Sequence, residues 1–197
     1  KKFFKADAKT KQYLQKMVSD FSLADAEEIK KTETITNHDV KAVEYFIKAC
    51  LDKCNAGHLK EWVHFGLTSQ DINNTAIPLL WKNNIELEYL PAVINLQHAI
   101  GKLALAWKNV PMLARTHGQP ASPTRLGKEM MVFVERIENQ IQMFSYIPFT
   151  AKFGGATGNF NAHHVTFPKH NWVKFANDFT ENKLGLQRQQ YTTQIEQ

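Results

Sequence analysis

Four short polar segments break up an otherwise apolar-periodic sequence: Asn37-His38-Asp39, Thr68-Ser69, Arg115-Thr116-His117-Gly118-Gln119-Pro120, and the glycine-rich stretch from Lys152 to His163. Each carries side chains that can hold an anion or move a proton. His117 stands in the densest polar grouping. A loop histidine is more often incidental than catalytic, but histidine best exchanges protons near neutral pH, and its polar neighbours favour that role. Thr68-Ser69 opens a long helical pattern, whose unpaired N–H groups and positive dipole end make an anion site; capping by Ser69 alone explains the same residues. Asn37-His38-Asp39 precedes another helix. It reads either as a cap with His38 exposed, or as a group in which His38, helped by Lys41, orients a carboxylate or phosphate.

The glycine-rich stretch is not a dinucleotide fingerprint, because no strand precedes it and its glycine spacing is wrong. It reads as a tight turn that presents Asn159 and His163. Cys50, Cys54 and His58 fall at i, i+4 and i+8, which could point three metal ligands one way from a helix. Gly57 breaks that pattern before His58 and no second cysteine pair exists, so core cysteines are the default and no metal is expected.

The elements that must position these segments are helices. Tyr13, Leu14, Met17, Val18 and Phe21, with Phe4 ahead of them, suggest a first helix. Ser22 and Asp25 form a plausible capping box for a short one ending near Ile29, before a polar break from Thr34 to Asp39. Val43, Ile47, Cys50, Leu51 and Cys54 recur at three- and four-residue intervals and define an amphipathic helix from Val40. A long run from Ile72 to Leu103, closed near Trp107, is interrupted by Pro78 and Pro91, so it is either one kinked helix or two that meet near Tyr89. Ser122, with Pro123 at the first turn, is expected to cap a further helix through Phe144. Another, from Trp172, stops near Gly185. Strand signals are nearly absent. The fold class is all-α, a bundle of long helices, in which Trp81, Trp107, Met130 and Phe133 follow helical spacing and read as packing residues.

Composition narrows the partners. The formal charge of +5 suits an anionic partner, but the lysines are scattered and no nucleic-acid motif occurs, which disfavours nucleic acid and membrane surfaces and leaves a small phosphorylated metabolite. Two cysteines exclude a disulfide scaffold and fit a reducing cytosol. No apolar run is long enough to span a bilayer and no signal peptide is visible. The chain lacks an initiating Met and stops abruptly at Gln194-Ile195-Glu196-Gln197, so both ends are expected to be cut.

Taken together, Thr36-Asn37-His38-Asp39-Val40-Lys41, His64-Phe65-Gly66-Leu67-Thr68-Ser69-Gln70-Asp71-Ile72 and Arg115-Thr116-His117-Gly118-Gln119-Pro120-Ala121 closely resemble the adenylosuccinate lyase family, in order and separation as well as content. Gly154 to His163 and Tyr191-Thr192-Thr193-Gln194-Ile195-Glu196 extend the resemblance from about Ile29 onward. The Thr-Ser and Thr-His-Gly-Gln elements are shared across the fumarase/aspartase superfamily, whereas Asn-His-Asp-Val-Lys and Thr-Thr-Gln-Ile-Glu favour the adenylosuccinate branch.

The resemblance implies a fumarase/aspartase-like helical fold, with residues 1–70 as an incomplete N-terminal domain and 71–197 as the first part of the central bundle. It implies a cytoplasmic homotetramer with shared active sites and no cofactor. The implied reaction is β-elimination of fumarate from adenylosuccinate, giving AMP, and from succinylaminoimidazole carboxamide ribotide. His117 matches the family's general acid, Thr68 and Ser69 the residues that hold the succinyl carboxylate, Asn37, His38 and Asp39 substrate-contacting positions near the nucleotide, and Gln194 a further substrate-binding position. Asn159 and His163 carry over only as motif. The family's general base, a serine on a Ser-Ser-x-Met-Pro-x-Lys-x-Asn-Pro loop, does not occur in this sequence, so the chain alone is expected to be inactive. Gln70 and Gln197 stand where the commonest bacterial pattern has Glu and Pro. The alternatives are an argininosuccinate-type lyase of the same superfamily, a non-catalytic helical interaction module and, on charge alone, a nucleic-acid binder with steeply salt-dependent affinity.

Overall fold

The computed structural model describes residues 6–195; Phe4, Glu196 and Gln197, used in the reading above, lie outside them. Packing divides the chain into two compact units, Lys1–Ala76 with Thr150–Gln197, and Ile77–Phe149. A boundary was expected at Gln70; the units of this chain divide after Ala76 and after Phe149, and the last segment groups with the first.

The first unit holds α1 (Ala8–Ser19), α2 (Leu23–Thr36), α3 (Asp39–Lys53), a 3₁₀ segment (Gly57–Trp62) and the start of α4 (Ser69–Asn84). The capping box forms as expected: Ser22 N–H donates to Asp25 Oδ2 at 2.8 Å and Asp25 N–H donates to Ser22 Oγ at 3.3 Å. The helix it opens does not stop near Ile29. Thr32 and Thr34 satisfy their hydroxyls within the helix, on Glu28 O and Lys31 O, and the polar stretch stays helical until Asn37, whose φ of 50° ends it. The break is therefore Asn37 and His38 alone, and α3 follows at once. Leu51, Ala56 and Leu59 make a core with Leu14, Trp62 and Val63 around them. Cys50 is buried, and Cys54 Sγ donates to Leu51 O at 3.4 Å, so both sit among packing residues. Among the described residues no cluster of three metal-binding side chains forms.

The last segment of this unit carries α7 (Asn161–Thr166) and α8 (Trp172–Leu184), the latter stopped at Gly185 with φ 67°. A second core joins Phe160, Trp172 and Ala176 to Phe65, Phe153 and Phe167. A short parallel pair, β3 (Thr150–Ala151) with β4 (Gln187–Arg188), ties its two ends together.

In the second unit, α4 ends in a π-helical turn, Ile85–Tyr89, and α5 (Leu90–Ala106) follows. The cause is Pro91, which cannot donate to the helix ladder; the wide turn, closed by Leu90 N–H on Ile85 O, absorbs it, so that of the two expected forms, one kinked helix or two meeting near Tyr89, the run is continuous through a π turn. Trp107 caps α5, and α6 (Leu126–Ser145) packs beside it.

The expected cap at Ser122 is wrong. Ser122 and Pro123 lie in β2 (Gln119–Arg125), which pairs antiparallel with β1 (Pro111–Thr116), and α6 starts only at Leu126. Val110, Gln119 and Ser122 each precede a proline, which pushes their backbone extended, and a two-stranded ribbon leaves open edges where prolines fit. The start of α6 needs no side-chain cap because Val110 O accepts Leu126 N–H at 3.0 Å and Trp107 O accepts Gly127 N–H at 3.1 Å. Gly127 is required there: a Cβ would stand 2.2 Å from Ala104 O. Trp81 and Phe133, read as packing residues, are 60% and 51% exposed among the described residues.

Candidate active site

Asn37, in the left-handed region, turns the chain so that His38 becomes the N-cap of α3. His38 Nδ1 accepts the Lys41 N–H at 3.3 Å. A ring nitrogen that accepts carries no proton, so the neutral imidazole holds its proton on Nε2, 3.2 Å from Ser69 Oγ. A second link runs parallel: Asn73 Nδ2 donates to Asp39 Oδ2 at 3.1 Å. The Val40 N–H and the Asn73 amide hold the Asp39 carboxyl below the usual carboxylate range.

Sequence reading placed Ser69 at the cap of α4. It is the first helical residue instead, and Thr68 stands before it, its N–H donating to Asp71 Oδ2 at 2.8 Å. The N-terminal turn of α4 thus faces the start of α3 across an open pocket of about 730 Å³, lined by Lys30, Glu33, Thr34, Asn37, His38, Asp39, Ser69, Gln70 and Asn73. The amide dipoles of α4 with serine, histidine and asparagine donors suit a multiply hydrogen-bonding ligand, while Lys30 is paired with Glu33 at 2.6 Å and Asp39 adds a negative charge to the lining. Lys30, Glu33, Thr34 and Asn73 were missed as site residues. The signal for them was helical spacing: Asn73 is one turn beyond Ser69, and the other three occupy the turns of α2 before Asn37.

His64, quoted above only as part of a motif, adopts φ 62°, unusual for a side chain of its size, and its Nδ1 lies 3.7 Å from Glu44 Oε1. Burial pushes its imidazole below the usual histidine range, with Glu44 opposing. Glu44, itself buried, also accepts Lys41 Nζ at 2.7 Å, which raises the lysine's pKa.

The glycine-rich loop does not present both of its candidates. Asn159 is exposed, donating to Thr157 Oγ1 at 3.3 Å, but His163 is 1% exposed, its ring packed among Phe65, Phe153, Phe160 and Trp172 with no hydrogen-bond partner on either nitrogen. The aromatic residues around it turn it into the core. Gln194 is exposed in an irregular segment after β4 and does not line the pocket.

His117 belongs to the second unit. It sits exposed at the tip of the β1–β2 hairpin, with φ 48° followed by Gly118 at φ 75°, the pair of left-handed conformations that makes a type I′ turn. Arg115 Nη1 donates to Gly118 O at 3.4 Å and braces the turn.

The family model described as Lyase matches residues 3–197. The adenylosuccinate lyase of Dictyostelium discoideum is 49% identical over 188 residues, covering 93% of this chain and 40% of that protein. That of Vibrio cholerae is 44% identical over 192 residues, covering 96% and 42%. Among solved structures, a fumarate lyase from Mesorhizobium sp. BNC1 superposes with a TM-score of 0.74 at 20% identity, over 92% of this chain and 40% of that one, which shows the shared helical fold. The chain belongs to the lyase family, and the curated relatives it matches are adenylosuccinate lyases, of whose length it spans about two fifths.

Proposed function

We propose that the full-length protein is a C–N lyase that eliminates fumarate from adenylosuccinate, giving AMP, and from succinylaminoimidazole carboxamide ribotide. The observation that carries this reading is the pocket in which His38 reaches Ser69 across the N-terminus of α4, in a chain 49% identical to an adenylosuccinate lyase.

The elimination removes a proton from the carbon beside a carboxylate, builds negative charge that fixed donors must hold, and breaks a C–N bond whose nitrogen must be protonated as it leaves. Thr68, Ser69 and the free amides of α4 receive the succinyl carboxylate. Asn37, His38 and Asp39 contact the substrate near its nucleotide, and Gln194 adds a further contact. His117, exposed on its turn, is the general acid. The base comes from a serine loop outside this chain, so the 197-residue chain alone is inactive. The working enzyme is a cytoplasmic homotetramer whose sites are completed by neighbouring subunits. Among the described residues no helix is long and apolar enough to cross a membrane.

The test is the fall in absorbance on cleavage of adenylosuccinate by the full-length protein, with argininosuccinate as a competing adduct. Cleavage of adenylosuccinate alone, abolished by His117→Ala, is the expected result. Release of fumarate from argininosuccinate instead, or full activity in the His117 variant, overturns the reading.

A further inference from the structure

Asp71 and Lys152 are closed off from solvent, at 3% and 0% exposure, and the reading above uses neither. Asp71 is the third residue of α4. Its Oδ2 accepts the Thr68 N–H at 2.8 Å and the Gly155 N–H at 3.0 Å, while its Oδ1 accepts Lys152 Nζ at 2.7 Å and the Gly154 N–H at 2.9 Å. Lys152 Nζ donates onward to Gly155 O at 2.8 Å, and Thr75 Oγ1, one turn along α4, donates to Lys152 O at 3.0 Å. One carboxylate therefore fixes both the backbone immediately before Ser69 and the start of the glycine-rich loop that carries Asn159.

Stability alone is a poor account of this arrangement. A carboxylate can cap a helix from the surface, and burying two charges costs several kcal/mol per ion, so a well-packed apolar pair of the same volume often serves stability as well or better. The ion pair supplies direction instead. Its oxygens accept N–H groups from two segments that are far apart in sequence, and so set where the α4 amides and the Thr68 and Ser69 hydroxyls stand.

We propose that Asp71 and Lys152 are a positioning pair that locks the N-terminal turn of α4 to the glycine-rich loop and thereby sets affinity for the dicarboxylate half of the substrate, not for its nucleotide half. This inference rests on the lyase reading above.

The experiment measures product inhibition of the full-length enzyme by fumarate and by AMP, with kcat and KM, in Asp71→Asn and in the double variant Asp71→Asn/Lys152→Met. The double variant removes the unpaired buried ammonium that the single one leaves behind. The expected result is a fumarate inhibition constant raised about tenfold or more, as for losing a hydrogen bond to a charged group, with the AMP constant moved less than about twofold. A purely structural role lowers only the amount of active enzyme and leaves both constants unchanged, which overturns the proposal. Equal weakening of both products, or a double variant that does not fold, overturns it too. If the wild-type protein does not cleave adenylosuccinate, the lyase reading fails and this inference with it; cleavage with unchanged fumarate affinity in the folded double variant sinks the inference alone.

Discussion

His38 Nε2 stands 3.2 Å from Ser69 Oγ, and the cap that His38 Nδ1 forms with Lys41 N–H decides which of the two donates. In the neutral ring with Nδ1 as acceptor, Nε2–H donates to Ser69 and the serine hydroxyl keeps its own proton to offer into the pocket; Nδ1 also lies 3.3 Å from Asp39 Oδ1, which a protonated ring would engage instead. Helix capping on α3 thus orients a donor on α4.

Ser69→Ala should therefore cost function more than stability. Losing a hydroxyl that donates to a carboxylate is worth about 1.5–3 kcal/mol, so kcat/KM of the full-length enzyme should fall by roughly tenfold to a hundredfold. Its denaturant midpoint should stay close to wild type, because Ser69 caps nothing. Unchanged kcat/KM would remove Ser69 from the site.

The hairpin turn gives a second expectation. Gly118 has φ 75° and open space around a hypothetical Cβ, so Gly118→Ala meets a backbone penalty of about 1–2 kcal/mol without a clash. The turn should relax away from its type I′ shape and carry His117 with it, lowering kcat. Gly118→Asn, which tolerates the left-handed region, should restore most of the loss. Equal activity in both variants would mean that the turn does not position His117.

A third concerns acid. Burial holds the His163 imidazole below its ordinary 6.5, Asp71 opposing and His164 adding to the shift. A depressed histidine favours the fold while neutral, so its contribution is present above pH 6.5 and is lost as pH falls through the folded value, because the unfolded chain then binds the extra proton. His64 is shifted the same way. His163→Phe should flatten the loss of unfolding free energy between pH 7.5 and 5.5 without abolishing it, whatever offset the larger ring introduces. The check is urea unfolding at both pH values; an unaltered slope would show that His163 is not the titrating group.

Helix periodicity was legible for α3, α5 and α8, although α3 is capped by His38 and stops at Lys53, ahead of Gly57. The hairpin around His117 was not, because Ser122-Pro123 satisfies the rules for a helix start as well as those for an extended residue before proline; what decided between them was the backbone of Val110 and Trp107, which already caps α6 at Leu126. The motif residues of the pocket could be named in advance, but their pairing could not: Ser69 and His38 are 31 residues apart, and only the packing of α2, α3 and α4 brings them together. Nothing in the sequence singled out Lys152, whose partner lies 81 residues away. His163, polar and beside Asn159, gave no sign of the aromatic cage that turns it inward.

The last expectation follows from what the helices leave open. Among the described residues Leu87 is 70% exposed, Leu105 69%, Met143 63% and Tyr146, just after α6, 85%. Apolar patches of this kind on a monomer drive association, and each Leu or Met buried is worth about 1.5–3 kcal/mol, so a few suffice to overcome the entropy of dimerisation. The isolated 197-residue chain should therefore self-associate at micromolar concentration, and Leu87→Glu combined with Leu105→Glu should shift it toward monomer without unfolding it, both positions lying on the exposed side. Light scattering with a far-ultraviolet dichroism spectrum checks both points. A monodisperse wild-type monomer would show that these faces stay solvated, and that exposure on this part of the fold is tolerated without a partner.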